Sequence, residues 1–279
     1  MKGFKRLGAV VFALSLVTGL LGVSAPVEAA AKKSVYVLTK QTESTEMDGE
    51  SFASSAYTYT YTNNGLIKKC GSVLSTYKYT YSGTQLTKLT ETPLEGYESI
   101  GKSTYKYTYD KKNRVKKYVE TTVNEDGSKT IETSTFGYDS KGRIKTNKIV
   151  YSGTIDNTVT YKYTYNSKSQ LTKISVISEN SSDTSMTYTY DSKGQVKKEV
   201  MAYTSDGTAY EVTTTSTYTY DKNGNVKKKV SETSYSDTSV PTSTNTYTYT
   251  YKKISVPAKK AALVKEQQKK IFEKNVLTF

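Results

Sequence analysis

Tyrosine alternating with threonine or lysine recurs along this 279-residue chain, and no other feature constrains its fold as strongly. Tyr57-Thr-Tyr59-Thr-Tyr61 returns as Tyr77-Lys-Tyr79-Thr-Tyr81, Tyr105-Lys-Tyr107-Thr-Tyr109 and Tyr161-Lys-Tyr163-Thr-Tyr165. Shorter versions stand at Phe136-Gly-Tyr138, Tyr188-Thr-Tyr190 and Tyr218-Thr-Tyr220, and Tyr247-Thr-Tyr249-Thr-Tyr251 closes the series. Alternation with period 2 puts one residue type on each face of a strand, and Tyr and Thr both favour strands. The eight copies predict eight hairpin units and roughly sixteen short strands, since each unit contributes a pair.

Each tyrosine run ends in a turn. Asp139-Ser-Lys-Gly142, Asp191-Ser-Lys-Gly194 and Asp221-Lys-Asn-Gly224 carry Asp first and Gly fourth, which suits a type I turn closed by a left-handed residue. Asn113 replaces that Gly in the third unit and tolerates the same backbone region, whereas Ser169 in the fifth fits it less well. Uninterrupted pairing from these turns sets Tyr109 opposite Val115, Tyr138 opposite Ile144, Tyr190 opposite Val196 and Tyr220 opposite Val226. The same count sets Tyr107 opposite Lys117, Tyr105 opposite Val119, Tyr163 opposite Lys173, Tyr188 opposite Lys198 and Tyr218 opposite Lys228. One face is then Tyr and aliphatic with a lysine stem inserted, and the other is Thr, Lys and Asp. Cys70, the single cysteine, falls opposite Tyr57 as a small core residue.

Tyrosine must supply much of the core. After residue 29, Leu, Ile, Val and Phe make up about 16% of the chain, a level that with high net charge normally goes with disorder. The 27 Tyr raise the figure to about 27%. A thin or wet, tyrosine-lined sheet follows, because each buried hydroxyl needs a partner or water. The expected fold is all-β: an antiparallel meander of about eight hairpins, with Ser34 to Lys40 as an edge strand and a short C-terminal helix.

Tyr138-Asp-Ser-Lys-Gly-Arg-Ile144 resembles the core of the YD repeat of Rhs-like bacterial secreted and cell-surface proteins. Tyr190-Asp-Ser-Lys-Gly-Gln-Val196, Tyr220-Asp-Lys-Asn-Gly-Asn-Val226 and Tyr109-Asp-Lys-Lys-Asn-Arg-Val115 are similar to it, while the first, second, fifth and eighth units lack the Asp. The resemblance spans about residues 57 to 251. It implies an extracellular β-repeat scaffold whose hairpins form an extended curved or spiralling sheet, and names no ligand or activity.

The two ends differ from the repeats. Lys2, Lys5 and Arg6 precede an uncharged apolar run from Leu7 to Val23, and Val27-Glu28-Ala29 and Ala29-Ala30-Ala31 offer cleavage sites. Residues 1–29 therefore read as a signal peptide, the alternative being a membrane anchor of minimal length. Residues 30–56 read as an N-terminal strand and acidic linker, 57–253 as the repeats and 254–279 as a basic helical segment. From Ala258 to Lys274 the composition is helical, with Pro257 near the start and Val264 and Ile271 seven apart. That helix either caps the open end of the sheet, as repeat arrays require, or binds an anionic surface.

Composition excludes several chemistries. With no His there is no imidazole base and no Ser-His-Asp triad. One Cys makes neither an internal disulfide nor a multi-cysteine zinc site. No cofactor, metal or catalytic residue is implied. The net charge of +14 favours acidic polymers, and export directs attention to anionic cell-wall polymer or glycan instead of intracellular nucleic acid. The expectation is a secreted or cell-wall-associated, non-catalytic scaffold or binding protein. Its candidate contacts are Tyr59, Tyr79, Tyr107, Tyr163, Tyr188, Tyr218 and Tyr249, together with Lys117, Lys173, Lys198 and Lys228. The same rings serve equally as the sheet's own packing. An extracellular carbohydrate-active enzyme using paired carboxylates is the alternative, although the acids fall in turns and loops. A membrane β-barrel is disfavoured, because a lipid-facing band should be aliphatic with aromatic girdles. No integral span is expected after processing. The oligomeric state is not legible.

Overall fold

A computed structural model describes residues 32–153, 157–178, 181–205 and 207–277. The signal-peptide reading of 1–29 lies outside them. Fifteen strands run up and down from β2 to β16: β2 (Glu50–Tyr61), β3 (Ile67–Gly71), β4 (Ser75–Ser82), β5 (Gln85–Pro93), β6 (Lys102–Tyr109), β7 (Val115–Val123), β8 (Lys129–Tyr138), β9 (Ile144–Ser152), β10 (Asn157–Tyr165), β11 (Leu171–Ser178), β12 (Ser181–Tyr190), β13 (Val196–Ser205), β14 (Thr208–Tyr220), β15 (Val226–Tyr235) and β16 (Ser243–Pro257). The eighth unit supplies only β16, and the sixteenth strand is β1 (Lys32–Met47). A helix, α1 (Ala258–Leu277), follows β16. The segment read as strand and acidic linker thus forms β1 and most of β2.

The strand order corrects the expected extended, spiralling sheet. β1 pairs with both β2 and β16, so the order closes into a sixteen-stranded antiparallel barrel and β1 is not an edge. Closure satisfies the ladder groups that an extended sheet would leave open at its edges. Polar side chains reinforce the seam: Thr39 Oγ1 donates to the Thr250 carbonyl (3.0 Å), Thr45 Oγ1 donates to Asn245 Oδ1 (2.6 Å), and the hydroxyls of Thr42 and Thr248 are bonded.

The turns form as their residues dictate. In the third unit Asp110 Oδ1 accepts the N–H groups of Lys112 (2.8 Å) and Arg114 (2.9 Å), while its other oxygen pairs with the Arg114 guanidinium (2.6 Å). Asp139, Asp191 and Asp221 each accept the two equivalent N–H groups. Gly142, Gly194 and Gly224 take φ of +80°, +81° and +80°, and Asn113 and Ser169 adopt the same left-handed conformation at +60° and +63°. Ser169 therefore serves where the sequence suggested a poorer fit.

Beyond the turn the register slips by one residue. Tyr109 faces Val115, Tyr190 faces Val196 and Tyr220 faces Val226, as the count from the turn requires. The next residues pair as Thr108 with Lys117 and Tyr107 with Tyr118, so a β-bulge intervenes. The same slip follows Tyr61, Tyr81, Tyr165, Tyr190 and Tyr220. The expected pairings of Tyr107 with Lys117, Tyr163 with Lys173, Tyr188 with Lys198 and Tyr218 with Lys228 are thereby corrected. The actual partners are Tyr118, Ile174, Glu199 and Lys229. Tyr105 faces Glu120 and not Val119, and Cys70 faces Tyr59 and not Tyr57. A bulge puts two consecutive residues on one side of the pleat, and a one-residue slip exchanges the faces of everything after it.

Tyrosine hydroxyls tie four of the hairpins to the one before. The Tyr109 hydroxyl donates to the Leu86 carbonyl (2.6 Å), Tyr165 to Ile144 (2.8 Å), Tyr190 to Leu171 (2.6 Å) and Tyr218 to Val196 (2.7 Å). Each acceptor opens the return strand of the preceding hairpin, where the bulge disturbs the ladder. Tyr61 makes the corresponding bond to Leu38 on β1.

The described residues divide into two units, one comprising Tyr57–Ile131 with the chain up to Lys40 and from Thr250, the other Gln41–Ala56 and Glu132–Tyr249. In the first unit α1 packs on β1 and β16 through Val35, Val37, Val256, Ala261 and Val264, with Tyr61 and Ile254 at the margin. Gln268 Oε1 accepts the Leu38 N–H (2.6 Å). This packing fits a cap on β1 and β16; the side chain of Ile271 lies outside the described residues. Tyr105, Tyr107 and Tyr118 form a buried ring cluster, with centroids 6.2 and 5.8 Å apart around Tyr118. The second unit buries Phe136, Ile149, Tyr188, Val196, Val226 and Tyr249 among Ser134, Thr214, Ser216, Ser231 and Thr233. Its core is polar enough to make hydroxyl pairs, Ser216 with Ser231 and Thr214 with Thr233, both at 2.9 Å.

Two glycines separate backbone strain from helix docking. Gly224 has φ +80° and open space where a Cβ would go, so Gly224→Ala should cost the left-handed penalty alone, about 1–2 kcal/mol. Gly65 also has φ +80°, but a Cβ there would lie 2.7 Å from Val264 and 2.8 Å from Val256. Gly65→Ala should lose a further 1–3 kcal/mol, roughly, as α1 is pushed away. Chemical denaturation of both variants measures the difference, and equal losses would contradict the packing of α1.

Candidate functional site

The bulge sorts the side chains of the return strands of six hairpins, and the burial pattern of β9 follows the same order. After the turn each begins with a buried or half-buried residue, two outward residues, and then another inward one. The inward pairs are Ile67 and Cys70, Leu86 and Leu89, Val115 and Tyr118, Ile144 and Asn147, Leu171 and Ile174, Val196 and Glu199, and Val226 and Lys229. The lysines between them face out. Lys173, Lys198 and Lys228 are exposed and Lys117 is partly so, all on the Thr-bearing face.

The predicted tyrosine and lysine contacts are therefore not assembled into one surface. Tyr59, Tyr79, Tyr107, Tyr188 and Tyr249 are buried, and Tyr163 and Tyr218 are half-buried. Burial pushes the hydroxyls of Tyr79 and Tyr107 well above their ordinary pKa. Tyr163 borders an open concavity, of about 500 Å³, which it shares with Tyr138, Asp139, Arg143, Lys145 and Tyr165. The Arg143 guanidinium there lies 4.4 Å from the Tyr165 ring centre, pairs with Asp139 at 2.7 Å and donates to Ser169 Oγ at 3.4 Å. Lys145 is exposed and has no acidic partner within ion-pair distance among the described residues.

Sequence reasoning placed the acids in turns and loops, and so missed those the bulge turns inward. Tyr77 pairs with Glu91, Tyr105 with Glu120 and Tyr188 with Glu199, a repeated tyrosine–glutamate arrangement on the buried face. In the first unit the Tyr77 hydroxyl donates to Glu91 Oε1 (2.8 Å) and the Tyr105 hydroxyl to Glu91 Oε2 (3.4 Å). Glu120 accepts from Thr122 (3.2 Å), whose hydroxyl also bonds Ser103 (2.7 Å). Desolvation raises the Glu120 pKa against the hydrogen bonds that lower it. This network is satisfied within itself, which marks it as structural.

The second unit is different. Glu199 is 5% exposed and Lys229 4% exposed. Among the described residues neither has a hydrogen-bond partner or an ion pair within 4.0 Å. The Lys229 ammonium lies 4.8 Å from the Tyr247 ring centre. Desolvation pushes Glu199 up to about 7 against the attraction of Lys229, and pulls Lys229 down to about 8 against the attraction of Glu199 and Glu43. The sequence signal for these groups was the doubled lysine in Val196-Lys-Lys-Glu199 and Val226-Lys-Lys-Lys229: two outward residues in succession mark a bulge and turn the fourth residue inward.

Comparison with known proteins bears on fold alone. No family model and no curated protein matches. A porin-like protein from Bacteroides uniformis ATCC 8492 superposes with a TM-score of 0.51 at 14% identity, over 77% of this chain and 96% of that one. A porin-like protein from Bacteroides vulgatus ATCC 8482 gives 0.51 at 15% identity, over 77% and 98%. The resemblance to the YD repeat of Rhs-like proteins is corrected accordingly: four similar turn phrases reflect a shared local turn, while the strands close into a barrel whose neighbours are porin-like. No helix among the described residues is long and apolar enough to cross a membrane.

A 13C NMR titration of glutamate side chains tests the buried pair. One carboxyl, Glu199, should titrate near 7. In Lys229→Met its midpoint should move further up, because desolvation then acts without the ammonium. A Glu199 midpoint in the ordinary carboxylate range would contradict its burial.

Proposed function

We propose that this protein is a non-catalytic β-barrel binding protein, exported to the cell surface or medium, that contacts anionic polymer through its exposed lysines. The observation that carries the reading is the sorting of charge by the bulge. Lys68, Lys69, Lys116, Lys197, Lys198 and Lys227 all stand exposed on the Thr-bearing faces. Distributed cations of this kind suit a repeating acidic chain such as a wall polymer or acidic glycan better than one compact ligand. The concavity beside Tyr163 adds a half-buried ring next to Lys145, an arrangement able to stack on a sugar.

A second reading takes up the porin-like neighbours: an outer-membrane barrel. The closed, even-stranded meander favours it. Lysines at the bilayer midplane of a lipid-facing strand cost about 2–4 kcal/mol each, and these strands carry Lys78, Lys106, Lys148 and Lys162 exposed. The water-exposed reading is preferred on that ground.

Sedimentation with purified cell walls, with and without teichoic acid, across a salt series separates the readings. Binding should be present at low salt, fall several-fold as the Debye length drops below about 10 Å at 0.1 M, and weaken when Lys173, Lys198 and Lys228 become Gln together. The protein should stay in solution without detergent and give no single-channel conductance in planar bilayers. Absence of binding at low salt would remove the polymer contact, and discrete conductance steps would favour the pore.

A further inference from the structure

The two ends of β3 to β7, all in the first unit, differ in character. At one end stand the β2–β3, β4–β5 and β6–β7 turns, and at the other the β3–β4, β5–β6 and β7–β8 loops. Val73, Leu74, Leu94, Tyr97 and Val123 are exposed, and all five lie in or beside those loops. Among the described residues no large apolar side chain is exposed in the three turns.

Backbone contacts set the loops against one another. The Leu94 N–H donates to the Leu74 carbonyl (2.9 Å), and the Tyr97 N–H to the Leu94 carbonyl (3.0 Å). Lys102, just past the β5–β6 loop, pairs with Val123. Gly101 permits that approach: its φ is +78°, and a Cβ there would lie 2.8 Å from both the Val123 carbonyl oxygen and Thr122 Cγ2. The β5–β6 loop is thus held on both sides while Leu94 and Tyr97 face out. Single exposed apolar side chains are ordinary, but a set of them on adjoining loops marks an interaction surface.

Charge identifies the partner. Among the apolar side chains Glu95, Glu98, Glu125 and Asp126 are exposed, against Lys102 and Lys129. At the turn end Lys68, Lys111, Lys112 and Lys116 are exposed. Lys259 and Lys265 add to them from α1, which packs on Gly65 of the β2–β3 turn. The one carboxylate of the three turns, Asp110, is taken up by Arg114. The same strands therefore carry an acidic, apolar end and a basic end. Lysine meets both demands of the apolar end, since its methylene stem covers apolar surface while its ammonium reaches a carboxylate. A twofold contact between two apolar ends would instead set acids against acids, and an anionic membrane would repel them.

We propose that the β3–β4, β5–β6 and β7–β8 loops dock on the lysine-bearing turn end of a second copy of this chain. Leu94 and Tyr97 pack on lysine stems there, and Glu95 and Glu98 meet the ammonium groups. The contact joins unlike surfaces, so it propagates head to tail and does not close as a dimer. Lys173, Lys198 and Lys228, whose replacement tests the polymer reading, lie in the second unit and take no part in it.

Sedimentation velocity of the full exported chain, in buffer free of polymer and lipid, tests the contact. At low salt the sedimentation coefficient should climb with concentration beyond that of a dimer. Association should be roughly tenfold weaker at 1 M salt, where the Debye length is about 3 Å. Leu94→Ser with Tyr97→Ser, at the loop end, and Lys111→Glu with Lys112→Glu, at the turn end, should each leave the chain monomeric. An equimolar mixture of these two double variants should form a one-to-one dimer, because each supplies the end that the other lacks. No twofold interface behaves in this way. Near-ultraviolet circular dichroism checks folding, and should either variant unfold, the wild-type concentration and salt series decides alone. A wild type that stays monomeric, a closed dimer, association indifferent to salt, or a mixture of folded variants that stays monomeric would overturn the proposal. So would flotation of the wild type, but not of the loop variant, with phosphatidylcholine vesicles in place of self-association.

Discussion

The bulge beside the aspartate turns of Asp110, Asp191 and Asp221 is the constraint on which the rest depends. The turn carboxylate holds two backbone N–H groups, the fourth residue turns left-handed, and the ladder resumes one residue out of step. One added residue per hairpin sends a pair of neighbouring side chains outward and brings the next one in. The solvation of lysine sets the direction of that choice. Were the ladder unbroken, Lys117, Lys198 and Lys228 would lie against buried tyrosines, each at a desolvation cost of several kcal/mol. The bulge exposes them, and the tyrosine of the following hairpin takes up a carbonyl at the disturbed position.

Much of this was legible in the residues. Tyr-Thr-Tyr alternation gave the strands, Asp and Gly four apart gave the turns, and the composition after Pro257 gave α1. Even the residue pairs nearest the turns, Tyr109 with Val115 and Tyr220 with Val226, follow from counting. What counting cannot see is a ladder that changes step after its first pair. Val196-Lys-Lys-Glu199 breaks the period of 2, but it reads as ordinary lysine-rich strand unless two adjacent lysines are both refused burial. Closure was hidden for a different reason. It joins β1 to β16, about 200 residues apart, through threonines and asparagine that carry no periodic mark.

The site followed from the same error. With the register unbroken, Glu120 and Glu199 face water and the sequence offers no buried carboxylate. With the bulge, both face tyrosines. Their fates then diverge by surroundings: the Glu91 and Glu120 network is saturated by Tyr77, Tyr105 and Thr122, whereas Glu199 and Lys229 have small hydroxyl residues between them. The polymer-contact reading and the buried pair use opposite faces of one strand, Lys198 on one and Glu199 on the other.

Adjacent residues on β13 therefore provide the most direct test of the account. In a Cys70→Ala background, Lys198→Cys and Glu199→Cys are compared for their rate of reaction with a charged, water-soluble thiol reagent under native conditions, with full unfolding as the reference. The bulged register predicts that Cys at 198 reacts close to the unfolded rate and that Cys at 199 is protected by at least a hundredfold. Protection at 198 with free reaction at 199 would mean an unbroken ladder, and would remove both the outward lysines and the buried pair.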